Sequence, residues 1–186
     1  MELKQIYDVQ NLKLRFKDKK ALEIKTLKFH NGLIYGICGN FGSGKTSLLK
    51  ILAGELKETN GSVLYQGNEF KRGFFGKIKK HNDIQYLDAN SLNSSLTVEQ
   101  VIKKNFPKKT QQIKSRHFTN FQMQTVWKTP MNLISDGERH WLKTIIGVEK
   151  DPRVLLIDDY GLSIDPVSYT HLRAHETDSY LVCRLL

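Results

Sequence analysis

Residues 39–46 read GNFGSGKT, an unbroken match to the spacing G-x-x-x-x-G-K-[ST]. The flanks suit that pattern. The run GLIYGIC (32–38) before it is continuously apolar and predicts a strand buried on both faces. The run KTSLLKILAGEL (45–56) after it places Leu48, Leu49, Ile51 and Leu52 on one helical face, with Gly54 near the helix end. A loop between a strand and a helix is a phosphate cradle. Gly39, Gly42 and Gly44 let the backbone turn so that N–H groups of Asn40, Phe41 and Ser43 point inward. The helix N-terminus adds the positive end of its dipole. Lys45 is placed to reach β- and γ-phosphates, Thr46 to offer its hydroxyl to Mg²⁺, and Ser47 follows in the same first turn.

Such a cradle needs an acidic strand end beside it. The segment RVLLIDD (153–159) supplies one. Asp158 is expected to hold Mg²⁺ through water, and Asp159 to orient an attacking water as the catalytic carboxylate beside Lys45.

The remaining composition narrows the class. The 186 residues carry a net charge of +10, with 39% hydrophobic and 26% charged residues, as in a soluble globular chain. No apolar run approaches the roughly 18–20 residues that span a bilayer. The start, MELKQIYDVQ, has no signal-peptide core, so a cytosolic location is the default expectation. Cys38 and Cys183 alone cannot frame a disulfide scaffold or a zinc site. Cys38 is expected to be a small buried hydrophobe. The basic, aromatic stretch KRGFFGKIKK (71–80) is either solvated loop or, through Phe74 and Phe75, a surface for lipid headgroups or a partner.

Working outward, LKLRF (12–16) and ALEIKTLKF (21–29) alternate and predict half-buried antiparallel strands. GSVLYQG (61–67) and DIQYLD (83–88) predict short strands. LTVEQVIKK (96–104) opens a helix with Thr97 and Gln100 at capping-box spacing. Residues 105–131 are polar and weakly periodic, consistent with short helices. In SDGERHWLKTIIGV (135–148), Ser135 is an N-cap ahead of Trp141, Leu142, Ile145 and Ile146.

At LISDGERHWLKT, shortly before the acidic strand, the chain resembles the ATP-binding cassette (ABC) ATPases. The signature L-S-G-G-Q of that family stands at Ser135, Asp136, Gly137 and Glu138. Its D-E-P-T-S-G-L-D-P run stands at DDYGLSIDP (158–166), which places Asp165 at the interface aspartate. LKILAGELKETNGSVLYQG (49–67) carries the family's spacing after the phosphate loop. The resemblance covers residues 1–166. It implies an α/β P-loop domain with N-terminal antiparallel strands, a parallel core sheet and a helical subdomain at 90–148. It also implies ATP and Mg²⁺ as ligands. Two cassettes, alike or different, would sandwich the nucleotide, with Ser135, Gly137, Glu138 and Asp165 at the interface. A separate membrane permease would be the partner on the cytoplasmic face of the inner membrane, and no nucleic acid is expected. The family's adenine-stacking aromatic falls to Phe16, with Tyr7 second.

Three departures stand out. The catalytic Glu is Asp159, the first signature glycine is Asp136, and the expected metal-site Gln is absent. Asn90 is the nearest amide that could replace it, because Gln85 lies on the wrong side of its strand. Each weakens turnover more than binding. Three readings stay open: the ATPase subunit of a transporter, a weakly hydrolysing half of a heterodimer, and a soluble cassette. The segment 167–186 (VSYTHLRAHETDSYLVCRLL) resembles translated adapter or vector sequence. His171 and His175 follow Asp159 too closely, with no strand between, to serve as the family's γ-phosphate ligand.

Overall fold

The computed structural model describes residues 4–17, 19–71, 73, 78–88 and 94–158, and the backbone of 183–184. Strands β1 (Gln5–Phe16) and β2 (Lys19–His30) form the antiparallel hairpin that the alternation predicts, each longer than the motif that announced it. Leu14 pairs with Leu22 and Val9 with Leu27. After the short β3 (Tyr35–Gly36) and the helix α1 (Lys45–Leu52), β4 (Asn60–Tyr65) returns to the other side of β1, and β5 (Asn68–Glu69) closes a four-stranded sheet ordered β2-β1-β4-β5.

The apolar face of α1 packs on this sheet. Leu48, Leu49, Ile51 and Leu52 join Val9, Leu12, Leu14 and Phe29 in one core. Gly54 follows the helix at φ 69°, a conformation that disfavours side chains. Tyr7 belongs to this core. It is fully buried, its hydroxyl donates to the Leu52 carbonyl at 2.8 Å, and its ring meets Phe29 edge-on at 6.1 Å. It is therefore not available to stack on adenine, which corrects the second choice made from sequence.

The expectation for 32–38 is also corrected. Only Tyr35 and Ile37 turn toward the core, while Ile34 is 71% exposed and Cys38 is exposed. The physical reason is packing, because a strand's faces are covered by the elements above and below it, and here burial alternates along 33–38, one face on the core and the other open. Among the described residues β3 pairs in parallel with β8 (Cys183–Arg184). Strands β6 (Ile84–Leu87) and β7 (Val154–Ile157) form a second parallel pair, with Leu87 opposite Ile157, and β8 lies beside β7. Two residues of 167–186 thus enter the sheet. Backbone pairing of this kind makes little demand on side-chain identity.

The helical subdomain has its own core. Helix α2 (Val98–Asn105) starts at the Thr97/Gln100 capping box. Helices α3 (Thr110–His117) and α4 (Phe121–Lys128) are two turns each, and α5 (Asp136–Glu149) starts at a Ser135/Glu138 capping box. Phe118 packs edge-on against Trp127 at 4.7 Å and Trp141 at 5.1 Å, around Ile102, Ile113 and Leu142. Helix α3 buries a single residue, Ile113, which is why 105–131 shows so little periodicity.

Near the end of α5, Glu149 is buried. It accepts from Arg116 Nη1 at 2.8 Å and meets His117 Nε2 at 2.9 Å. Burial alone would raise its pKa, but the bonds from His117 and Arg116 outweigh that and hold it below its ordinary value. A depressed carboxyl pKa contributes stability above the unfolded value, near about 4.3, and loses it as pH falls through the folded value. We expect Glu149→Gln to cost about 3 kcal/mol at pH 7, with the gap to wild type closing below about pH 4. Denaturant melts at both pH values measure this.

Candidate functional site

The phosphate loop is held open by its glycines and anchored by its neighbours. Gly42 and Gly44 have φ of 76° and 91°. At Gly44 a side chain is excluded twice, because an added Cβ would lie 2.6 Å from the Ala21 carbonyl oxygen. Gly44 also caps α1, and its carbonyl accepts from Leu48 N at 2.8 Å. The hairpin thus abuts the cradle at Ala21 and Leu22. Phe16 ends the same hairpin and is 53% exposed, as an aromatic that stacks on a base must be before the ligand arrives. Phe41 stands fully exposed on the loop, Gly39 and Asn40 are exposed, and Ser47 is half-buried.

Lys45 folds back along the loop. Its Nζ donates to the carbonyls of Gly39 (2.8 Å) and Asn40 (3.0 Å), with Ser43 Oγ at 3.4 Å. The ammonium therefore lies along the exposed side of the loop, and these neutral acceptors can be exchanged for phosphate oxygens.

The two Mg²⁺ candidates meet across 112 positions of sequence. Thr46 Oγ1 donates to Asp158 Oδ1 at 3.2 Å. Adjacent octahedral ligands at the 2.0–2.1 Å typical of Mg²⁺ stand about 2.9 Å apart, and both donors are hard oxygens. With Thr46 as the direct ligand, a carboxylate 3.2 Å from its hydroxyl is also close enough to accept from a metal-bound water, so the pair fits that ion. Asp158 is 3% exposed, and its backbone N–H donates to the Leu87 carbonyl at 3.1 Å, which ties the carboxylate to β6.

Sequence reasoning missed Tyr86. Its hydroxyl donates to Asp158 Oδ2 at 3.0 Å. Burial first, and then the Asp158 carboxylate, push the phenol far above its ordinary pKa, so it remains a donor. The signal was present only as a tyrosine in the strand DIQYLD. That β6 pairs with β7 is a non-local fact that the motif did not carry. Gln85 faces elsewhere, as expected, and its Oε1 accepts from Lys150 at 3.2 Å.

At the signature, Ser135 is tied into its own helix. Its Oγ donates to Glu138 Oε2 at 2.8 Å and accepts from Glu138 N at 3.2 Å. The Asp136 side chain is 98% exposed, 3.7 Å from Arg139 Nε. Gly137 lies in the first turn of α5. Asp159, Asn90, Asp165, His171, His175, Phe74 and Phe75 lie outside the described residues. Among the described residues, no helix is long and apolar enough to cross a membrane.

Residues 22–160 match the family model for ABC transporters. The chain is 31% identical over 177 residues to mouse (Mus musculus) ATP-binding cassette sub-family A member 6, covering 89% of itself but only 11% of that protein. It is 23% identical over 167 residues to the lantibiotic transport ATP-binding protein SrtF of Streptococcus pyogenes, covering 71% of it. The fold superimposes on a bacterial Atm1-family ABC exporter with ATP bound at a TM-score of 0.81, with 14% identity, over 100% of this chain and 35% of that one. It also matches cbiO1 of Clostridium perfringens, part of the cbiONQ transporter complex, at a TM-score of 0.74 and 18% identity, over 98% and 79% of the two chains.

Proposed function

The chain belongs to the ABC transporter family, and on that premise we propose that it is an ATP-binding subunit that powers a separate membrane component. The supporting observation is the contact of Thr46 with Asp158 beneath a complete phosphate loop. ATP binds with its phosphates against residues 39–47 and Phe16 on the base. Mg²⁺ is held by Thr46 directly and by Asp158 through water, with Asn90 the candidate amide in place of the family's Gln. Asp159 orients the attacking water. A second cassette meets Ser135, Gly137, Glu138 and Asp165. Closure of that pair on ATP and its reopening on hydrolysis move the membrane component, which the chain joins on the cytoplasmic face of the inner membrane.

The second reading, a weakly hydrolysing half of a heterodimer, rests on Asp136. An exposed carboxylate in the first turn of α5 repels a phosphate brought to that turn. Turnover measured beside nucleotide binding separates the two. Asp159 is one methylene shorter than the family's glutamate, and a misplacement of about 1 Å can cost on the order of 100-fold. Asp159→Glu should therefore raise hydrolysis at least about tenfold over wild type. A chain that binds ATP, hydrolyses little or none with its membrane partner and gains nothing from D159E is the weakly hydrolysing half.

A further inference from the structure

Lys143 is a buried lysine that the nucleotide chemistry above does not use. It is 4% exposed in the middle of α5, beside Leu142, Thr144 and Ile145, which are also buried. Lysine is almost never this buried without a specific partner. A backbone carbonyl is one such partner: Nζ donates to Asp88 O at 3.0 Å. Burial lowers the lysine's pKa, and the nearby Asp88 carboxylate opposes that shift.

The placement follows from the helix. Asp136, Arg139, Lys143 and Gly147 lie three and four apart, on one stripe of α5. At Gly147 the helix comes so close to the sheet that an added Cβ would stand 2.8 Å from Leu87 Cδ1 and 3.1 Å from Leu155 Cδ1. One turn earlier, Lys143 reaches past Leu87 to the first residue beyond β6. Leu87 itself accepts the backbone N–H of Asp158. The lysine therefore clamps the strand end that holds the Mg²⁺ carboxylate. At the other end of the stripe, Arg139 contacts Asp136 at the signature.

We infer that Lys143 is a positioning residue for the metal site, a strut that ties the signature helix to the end of β6 and so sets the placement of Asp158. The inference rests on the function proposed above. It concerns a residue that is neither part of the phosphate loop nor a metal ligand.

The test is titration of the full chain with ATP, once in EDTA and once in excess Mg²⁺, for wild type and Lys143→Met. Methionine keeps the length of the stem and removes the ammonium. Groups that orient metal ligands typically change affinity by about 10–100-fold when removed. The expected result is a Kd for Mg·ATP raised about tenfold and a Kd for ATP in EDTA left essentially as in wild type. A lysine acting only as a positive charge gives the opposite order, with the larger loss in EDTA, where ATP is more negative. That order, equal losses, or no change in either condition overturns the inference. Should K143M not fold, K143Q, which loses the charge and keeps an amide donor, is expected to shift Mg·ATP selectively by a smaller factor, and a non-selective shift has the same overturning force. A wild-type chain that binds no ATP under either condition overturns the proposed function and the inference together. A wild type whose binding depends on Mg²⁺, with variants identical to it, overturns the inference alone.

Discussion

Lys45→Ala should weaken ATP binding about 100-fold while leaving the fold intact. The ammonium now bonds two loop carbonyls at 2.8 and 3.0 Å, both exposed. Phosphate oxygens would replace them. A hydrogen bond to a charged group contributes about 1.5–3 kcal/mol, so losing a pair of such bonds removes about 3 kcal/mol or more, which is about two decades in Kd. The carbonyls left behind remain open to water, so the unfolding free energy should move by less than about 1 kcal/mol. Titration with a fluorescent ATP analogue reads the affinity, and a denaturant melt reads the fold. A K45A chain that binds as wild type does would remove Lys45 from the site.

Asp158→Asn should produce a variant that loses Mg²⁺-dependent binding yet is no less stable. The carboxylate is 3% exposed, and its described side-chain partners are two neutral hydroxyls, Thr46 at 3.2 Å and Tyr86 at 3.0 Å. Burying a carboxylate against neutral donors costs free energy that an amide of the same shape does not. Both hydroxyls can rotate to meet an amide. We expect stability without nucleotide to hold or rise by about 1 kcal/mol, the pattern common when a functional site is neutralised. The gain in ATP affinity on adding Mg²⁺ should disappear, and any hydrolysis should fall about 100-fold, because the metal's charge stabilisation is worth several kcal/mol. A melt in EDTA and a binding titration with and without Mg²⁺ report the two halves. A D158N chain that is markedly less stable but still responsive to Mg²⁺ would make Asp158 a structural residue.

Local features were legible from residues 1–158 because they are set by neighbours in sequence. The two capping boxes depend on residues three apart, Thr97 with Gln100 and Ser135 with Glu138. The apolar face of α1 depends on helical period, and the hairpin on alternation. The phosphate loop depends on glycines that few other residues could replace, as the contact of Gly44 with Ala21 demonstrates. The family followed from four such segments in order.

The errors share a cause. A run such as GLIYGIC looks equally apolar whether its strand is covered on one face or two, and only the elements packed above and below it decide. Tyr7 and Phe16 lie on one strand and are both aromatic, yet one fills the core and the other meets solvent. Tyr86 and Lys143 gave no motif at all. Their meaning comes from the parallel pairing of 84–87 with 154–157 and from the approach of α5 at Gly147, which bring together residues 55 to 72 positions apart. Which groups could cradle a phosphate and end a strand in acid was readable in the order of residues, because those demands are local and stereochemical. The tertiary structure alone decided which side chains support them, because burial and hydrogen-bond partnership are properties of elements brought together, and no local spacing encodes them.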